Sequence, residues 1–79
     1  MLVKAHPNPS SQYFSLLFQS KGSEMATVKI SDAMSRLVKM KTGVAPNSLL
    51  QIGHNYKPGV YYAEIIQGTS KSVVTLVKQ

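Results

Sequence analysis

The sequence predicts a small all-β protein, an antiparallel sandwich of about seven short strands. Segments rich in β-branched and aromatic residues recur along the 79 residues, and clusters of Gly, Pro, Asn and Ser separate them. The segment Ala26–Ser31 alternates apolar and polar residues, as a strand with one buried face does. A chain of this length forms one domain with a modest core.

The segment from Lys57 to Gly68 is predicted to contain the central strand. Turn-forming residues bound it at both ends, and read with period two it places Tyr61, Ala63 and Ile65 on one face. Glu64 lies on the other face, which must be the solvent side because an unpaired buried carboxylate is costly. Apolar residues share that outer face with Glu64, so we expect neighbouring strands on both sides.

The other predicted strands lie on either side of this one along the chain. A short edge strand near the N terminus ends at a corner formed by Pro7 and Pro9, because both prolines fix φ and lack an N–H donor. The others are Tyr13–Gln19 with Phe14, Leu16 and Phe18 inward, Ala26–Ser31, Arg36–Met40, Ser48–Ile52 with Leu50 and Ile52 inward, and Lys71–Lys78. Periodicity does not assign an inward face to the last of these.

The segment from Ala33 to Met40 has two interpretations. Its residues are good helix formers, but a helix this short is marginal and the flanking segments are strand-like. A hairpin is therefore favoured. In that hairpin Val38 and Met40 are expected to face the core, and Lys39 and Lys41 the solvent.

The charge and composition exclude several classes of function. The net charge is +6, but eight of the nine basic residues are lysine, and no aromatic residues are interleaved with arginine. Lysines scattered through strands are typical of a solvated face that protects sheet edges, so no nucleic-acid partner is predicted. The chain has no apolar run long enough for a membrane span and no signal peptide at its start. An exported protein would therefore carry its signal peptide on a longer precursor.

No catalytic, metal or cofactor site is predicted. The groups that could serve in one are few: Glu24, Asp32, Glu64, His6 and His54. The two histidines are far apart with no companion at metal-ligand spacing, and Asp32 is placed to cap a local turn. Three methionines are expected to fill gaps in the core: Met25, Met34 and Met40. The sequence therefore does not indicate an enzyme.

A binding module attached to an exported enzyme is the alternative function, with a carbohydrate or a protein as ligand. Such modules use exposed aromatic platforms. This chain has no Trp and only scattered candidates: Tyr13, Tyr56 and Tyr62.

Five motifs follow one another along the chain in a specific order. They are Ala5–Ser11, Val28–Asp32, Arg36–Val38, Pro58–Tyr61 and Leu76–Gln79. Each is weak alone, but their order and a lysine one residue from the end make the combination specific. In this combination, over nearly its whole length, the chain resembles the type A C-terminal sorting domain of type IX secretion substrates in Bacteroidota.

The resemblance implies an immunoglobulin-like sandwich of seven strands, with residues 1–79 as the single C-terminal sorting domain of a larger exported protein. It implies that the cargo crosses the periplasm and that this domain directs it through the outer-membrane type IX translocon with its shuttle components. A sortase-like surface peptidase would then remove the domain and attach the cargo to a lipopolysaccharide. The expected location is therefore the cell surface or the medium.

The recognition motif carried over by this resemblance has eight residues: Pro7, Asn8, Pro9, Gly59, Tyr61, Leu76, Val77 and Lys78. Each also has a purely structural interpretation, since prolines stop an edge strand, Gly59 serves a turn and Tyr61 fills the core. The side chain of Asn8 is expected to fold onto its own loop as an Asx turn. One departure is Ser35, which stands where the family has Gly, so the type of that turn is open.

The C-terminal residues are expected to be frayed and available for recognition. Removal of Lys78 and Gln79 should then abolish export and leave the melting temperature almost unchanged. Removal of Leu76 and Val77 should destabilise the domain by roughly 1.5–3 kcal/mol per buried side chain.

Overall fold

The computed structural model describes residues 1–79 and contains seven strands and no helix. The strands are β1 (Leu2–His6), β2 (Phe14–Gln19), β3 (Ala26–Asp32), β4 (Leu37–Val44), β5 (Ser48–Ile52), β6 (Gly59–Gln67) and β7 (Ser70–Lys78). They form two antiparallel sheets, a three-stranded sheet in the order β1-β2-β5 and a four-stranded sheet in the order β4-β3-β6-β7. The predicted all-β, immunoglobulin-like sandwich is confirmed. The structure has no helix that is long and apolar enough to cross a membrane.

The core lies between the two sheets and follows the alternation predicted from the sequence. Phe14, Leu16 and Phe18 of β2 are buried, and so is every second residue of β3 from Ala26 to Ile30. Each of the larger side chains, from valine to phenylalanine, contributes roughly 1.5–3 kcal/mol by leaving water. Twelve buried apolar residues form one cluster, and the partly buried Leu50 packs against it.

Strand β6 is central, as predicted. It pairs with β3 on one side and β7 on the other, and its inward residues Tyr61, Ala63 and Ile65 are buried. Glu64 faces outward and forms an ion pair with Lys71 of β7, with 3.1 Å between Nζ and Oε2. A two-residue turn connects β6 to β7 in a tight hairpin.

The hairpin of β3 and β4 is confirmed, but the predicted orientation of β4 is wrong. Directly opposite residues of paired strands share a face, and Lys39 and Lys41 lie opposite the buried Ile30 and Val28. The lysines are therefore on the core side, and Met40, opposite Lys29, is on the outer side. Strand β4 is the edge of the larger sheet, and seven of its eight residues are exposed. The lysines reach solvent past this edge, so neither face of β4 required apolar residues.

The expectation that three methionines fill the core is also wrong. Met25, Met34 and Met40 are all exposed. Met25 precedes β3, Met34 lies in the turn after it, and Met40 lies on the edge strand, so none has a second layer above it.

The two ends of the sandwich are formed by different parts of the chain. Strand β1 begins opposite Gln19, where Ser20 contacts Asn47 and Gln67, and we call this the N-terminal end. Strand β1 finishes at the other end, where the loop that follows it contacts the last residues of β7. We call this the motif end. It consists of residues 7–13, 32–36, 53–61 and 76–79.

Candidate recognition site

The corner at Pro7 and Pro9 is joined to the edge of β7 by the side chain of Asn8. Its Nδ2 donates to the carbonyl of Thr75 at 2.7 Å, and its Oδ1 accepts from the N–H of Val77 at 3.0 Å. The predicted Asx turn is therefore wrong. The edge of β7 offers an unpaired main-chain carbonyl and an unpaired main-chain N–H, and the Asn8 amide can pair with both.

Ser10 extends this attachment by two main-chain hydrogen bonds. Its N–H donates to Val77 at 3.0 Å and its carbonyl accepts from the N–H of Gln79 at 2.8 Å, so the loop runs briefly parallel to β7. The buried Ser10 hydroxyl donates to the carbonyl of Tyr13 at 2.6 Å and accepts from the N–H of Gln12. Sequence reasoning did not single out Ser10, and the signal that could have found it is its place directly after the two prolines.

Lys78 is buried, with only 6% of its surface exposed. It stands two residues after the buried Leu76 on the core side of β7, and its Nζ donates to the carbonyls of Gln12 and Gly53. The apolar stem thus lies in the sandwich while the ammonium group connects two loops of the motif end. The expectation of a frayed C terminus is wrong for Lys78. A charged residue on the core side also explains why periodicity did not assign the faces of β7.

Gly59 and Tyr61 lie at the start of β6, beside the end of β7. Gly59 pairs with Lys78 and has φ of 152°, a conformation that side chains disfavour. The Tyr61 ring belongs to the core, and its hydroxyl donates to the carbonyl of Lys57 at 2.6 Å. Its ring lies 4.8 Å from that of Tyr56, between centroids. The eight residues of the predicted motif are therefore brought together at one end of the sandwich.

The turn after β3 belongs to the same end. Asp32 Oδ1 accepts from the N–H groups of Met34 and Arg36 at 2.9 and 3.0 Å, and Oδ2 accepts from the Arg36 guanidinium at 2.8 Å. The hydrogen bond from the Arg36 N–H is the main cause that lowers the pKa of Asp32 below its ordinary value of 3.8. Asp32 therefore caps the turn, as predicted. Ser35 has φ of 62°, so it adopts the left-handed conformation that suits glycine.

Two shallow grooves open at the motif end. One of about 290 Å³ lies between residues 7–13 and Gln79, and one of about 250 Å³ lies between residues 32–36 and 57–61. Pro7 and Pro9 are exposed at the first groove. Most other motif residues are buried or hydrogen-bonded, so they shape this surface more than they present themselves on it.

The aromatic residues of the alternative function do not form one platform. Tyr13 stacks on His54 at the motif end, with 5.3 Å between ring centroids, whereas Tyr62 lies on the outer face of the four-stranded sheet. The Tyr56 hydroxyl is buried without a hydrogen-bond partner, and this burial raises its pKa above 10.0. No three His, Asp or Glu side chains are grouped where they could hold a metal ion.

The predicted motif residues thus lie together at one end of an antiparallel sandwich. The family model described as a secretion system C-terminal sorting domain matches residues 4–79. The chain belongs to this family, the C-terminal sorting domains of type IX secretion, and its function is that of a sorting signal for an N-terminal cargo. The family is not a catalytic one, and it implies transport across the outer membrane to the cell surface or beyond. No curated protein matched the chain.

Proposed function

We propose that residues 1–79 are the single C-terminal domain of a larger exported protein, and that the type IX translocon and its shuttle components recognise the motif end. The position of the N terminus supports this proposal. Strand β1 starts at the N-terminal end, so a preceding cargo would be attached at the end of the sandwich opposite to the motif residues. A receptor could then reach the motif end on cargos of very different shape.

The observation that carries the proposal is the double hydrogen bond from Asn8 to β7. With the Lys78 contacts, it holds three segments in one arrangement: the corner after β1, the loop after β5 and the end of β7. A surface built from three chain segments exists only in the folded domain. Recognition of it would therefore report that the domain is folded before the cargo crosses the outer membrane.

The proposal extends to the later steps of the pathway. We place removal of the domain by a sortase-like surface peptidase in the chain that precedes β1, outside the sandwich. The cargo is then attached to a surface lipopolysaccharide or released, and the domain itself takes no part in that chemistry.

A reporter fusion in a host with a type IX system tests the proposal. Residues 1–79 are fused to the C terminus of a periplasmic reporter, and reporter outside the cell is measured beside the melting temperature of each purified domain. We expect the wild-type fusion outside the cell. The Asn8→Ala variant should remain folded and lose up to about tenfold in secretion, because losing about 1.4 kcal/mol of internal hydrogen bonding makes the recognised arrangement of the corner up to about tenfold less populated.

Asn47→Ala is the matched control. Asn47 is also exposed, and its side-chain amide also donates to a main-chain carbonyl and accepts from a main-chain N–H, both of Ser20. It lies, however, at the N-terminal end. It should leave secretion unchanged. Retention of a stably folded wild-type fusion in the periplasm would refute the proposed function. An equal secretion loss in both variants would show that stability matters and the motif end does not.

A further inference from the structure

The outer face of the four-stranded sheet carries exposed apolar residues on three of its strands. Val60 and Tyr62 lie on β6, Leu37 and Met40 on β4, and Val73 on β7. Tyr62 is 41% exposed and Val73 is 54% exposed, so large apolar surfaces face water. Scattered apolar residues are normal on a protein surface, but a contiguous set with an aromatic residue at its centre indicates an interaction site.

The strand register shows that these residues are contiguous. Tyr62 lies between Ser31 of β3 and Thr75 of β7, and Ser31 is in turn opposite Leu37. Val60 and Val77 form the next directly opposed pair on this face. Leu37, Val60 and Val77 therefore lie near Tyr62, and the short side chains of Ser31 and Thr75 are directly beside it. Met40 and Val73 lie in the next row of the sheet, where Lys29 and Glu64 stand between them.

The same face has a surplus of positive charge. Glu64 is its one acidic residue, and two lysines flank it: Lys29 directly opposite on β3 and Lys71 in the ion pair. The remaining carboxylates lie elsewhere, Asp32 against Arg36 and Glu24 beside Gly68 at the N-terminal end. A partner for this face must therefore combine an apolar centre with negative charge at its rim.

We propose that this outer face is a second docking surface, and that its partner is a folded protein of the export pathway with an apolar centre and an acidic rim. A second copy of the domain does not fit, because the same face of the second copy would also carry excess positive charge and the two faces would repel each other. A lipid surface is the alternative that the crosslinking experiment separates from a protein partner. The inference rests on the proposed function only in that the partner belongs to the export pathway.

Site-specific photocrosslinking in the exporting host tests the inference. A photoreactive phenylalanine replaces Tyr62 in the reporter fusion, and Leu49 serves as the matched control position. Leu49 is 60% exposed but lies on the outer face of the three-stranded sheet, since it pairs with Leu17 next to the buried Leu16. We expect a discrete protein adduct from position 62, none from position 49, and at least about tenfold less adduct in a Lys29→Glu, Lys71→Glu background.

Secretion provides an independent measurement. Val73→Glu and Tyr62→Glu should each reduce reporter secretion about tenfold or more, as expected for central interface residues, while Leu49→Glu should not. Melting temperatures identify any variant that fails by unfolding, including Val73→Glu, which places a carboxylate directly opposite Glu64.

Several results would overturn the inference. They are an adduct with the mass of two copies, an adduct with lipopolysaccharide or with the fused reporter, an adduct insensitive to the lysine changes, or normal secretion by folded Val73→Glu. In each case secretion of the wild type and its loss in Asn8→Ala would leave the proposed function intact.

Discussion

At the residue scale, the side chains of Asn8 and Lys78 make contacts that main-chain groups make inside a sheet. The Asn8 amide offers both an N–H donor and a carbonyl acceptor, as a peptide group does, and it bonds Thr75 and Val77 of β7. The Lys78 ammonium has donors only, and it bonds two loop carbonyls. Both residues therefore supply hydrogen bonds to main-chain groups that have no neighbouring strand to pair with.

Lys78→Met tests the structural role of the buried ammonium. Methionine keeps much of the apolar stem but offers no donor, so the carbonyls of Gln12 and Gly53 lose a charge-assisted bond in a buried site. We expect the free energy of unfolding to fall by about 2 kcal/mol in urea denaturation. For the same reason, removal of Lys78 and Gln79 should lower the melting temperature as well as secretion. Lys71→Met is the control, because its ion pair is exposed and should cost at most about 1 kcal/mol. Equal stability losses in the two variants would contradict this role.

At the element scale, the turn between β3 and β4 depends on two residues. The Asp32 carboxylate accepts hydrogen bonds from N–H groups that have no strand partner in the turn. Ser35 adopts the left-handed backbone conformation. The motif match predicted a turn here but left its type open because Ser replaces Gly. The structure shows that the backbone keeps the conformation of the glycine-containing turn and that the serine adopts it at a cost.

Ser35→Gly should stabilise the domain. Glycine removes the steric cost of positive φ, and the gain should be about 1 kcal/mol after the entropy lost by glycine on folding. Asn47→Gly is the control: Asn47 has φ of 60°, but its side chain bonds Ser20. That substitution should give no gain. Thermal unfolding of both variants measures the difference, and a destabilised Ser35→Gly domain would contradict the prediction.

The Asp32 cap should make the stability of the domain depend on pH. The folded-state pKa of Asp32 is lower than 3.8, so its contribution is present above that pH and is lost as the pH falls through the folded-state value. We expect the melting temperature of the wild type to fall more steeply below about pH 3.8 than that of Asp32→Asn. Melting temperatures are measured for both proteins from pH 6 to about pH 2. The other carboxylates are present in both proteins, so a difference between the two curves reports Asp32 alone. Parallel curves would show that Asp32 does not contribute.

At the scale of the whole molecule, the two edges of the four-stranded sheet are protected in different ways. The loop that contains Asn8 and Ser10 covers the end of β7. Strand β4 is uncovered, but it carries Lys39 and Lys41, and its pairing with β3 is irregular at two places. Lysines and bulges of this kind prevent edge strands from pairing between molecules.

Replacing both edge lysines should cause association. Lys39→Val combined with Lys41→Val leaves β4 apolar with its main-chain edge unpaired, so we expect dimers or larger species in sedimentation velocity at concentrations where the wild type is monomeric. Lys21→Val combined with Lys57→Val is the control, because it removes the same charge from segments between strands. Association of the control variant would indicate that net charge, and not the edge, keeps the domain monomeric.

The sequence by itself determined the number of strands, the central place of β6 and most of the core. Alternation in β2, β3 and β6 is a local property, since a strand between two neighbours and under a second sheet must bury every second residue. The family, too, followed from the order of short motifs, because order along the chain needs no folded structure.

Only the tertiary structure decided the orientation of β4, the partners of Asn8 and the burial of Lys78. Each depends on what a distant segment covers: the smaller sheet leaves β4 exposed, and the edge of β7 is 67 residues along the chain from Asn8 at the Thr75 contact. A lysine near a chain end is usually solvated, and only the carbonyls of two loops, brought together by the sandwich, make its burial favourable. Local pattern reports how a residue alternates with its neighbours, whereas long-range packing decides which face is covered.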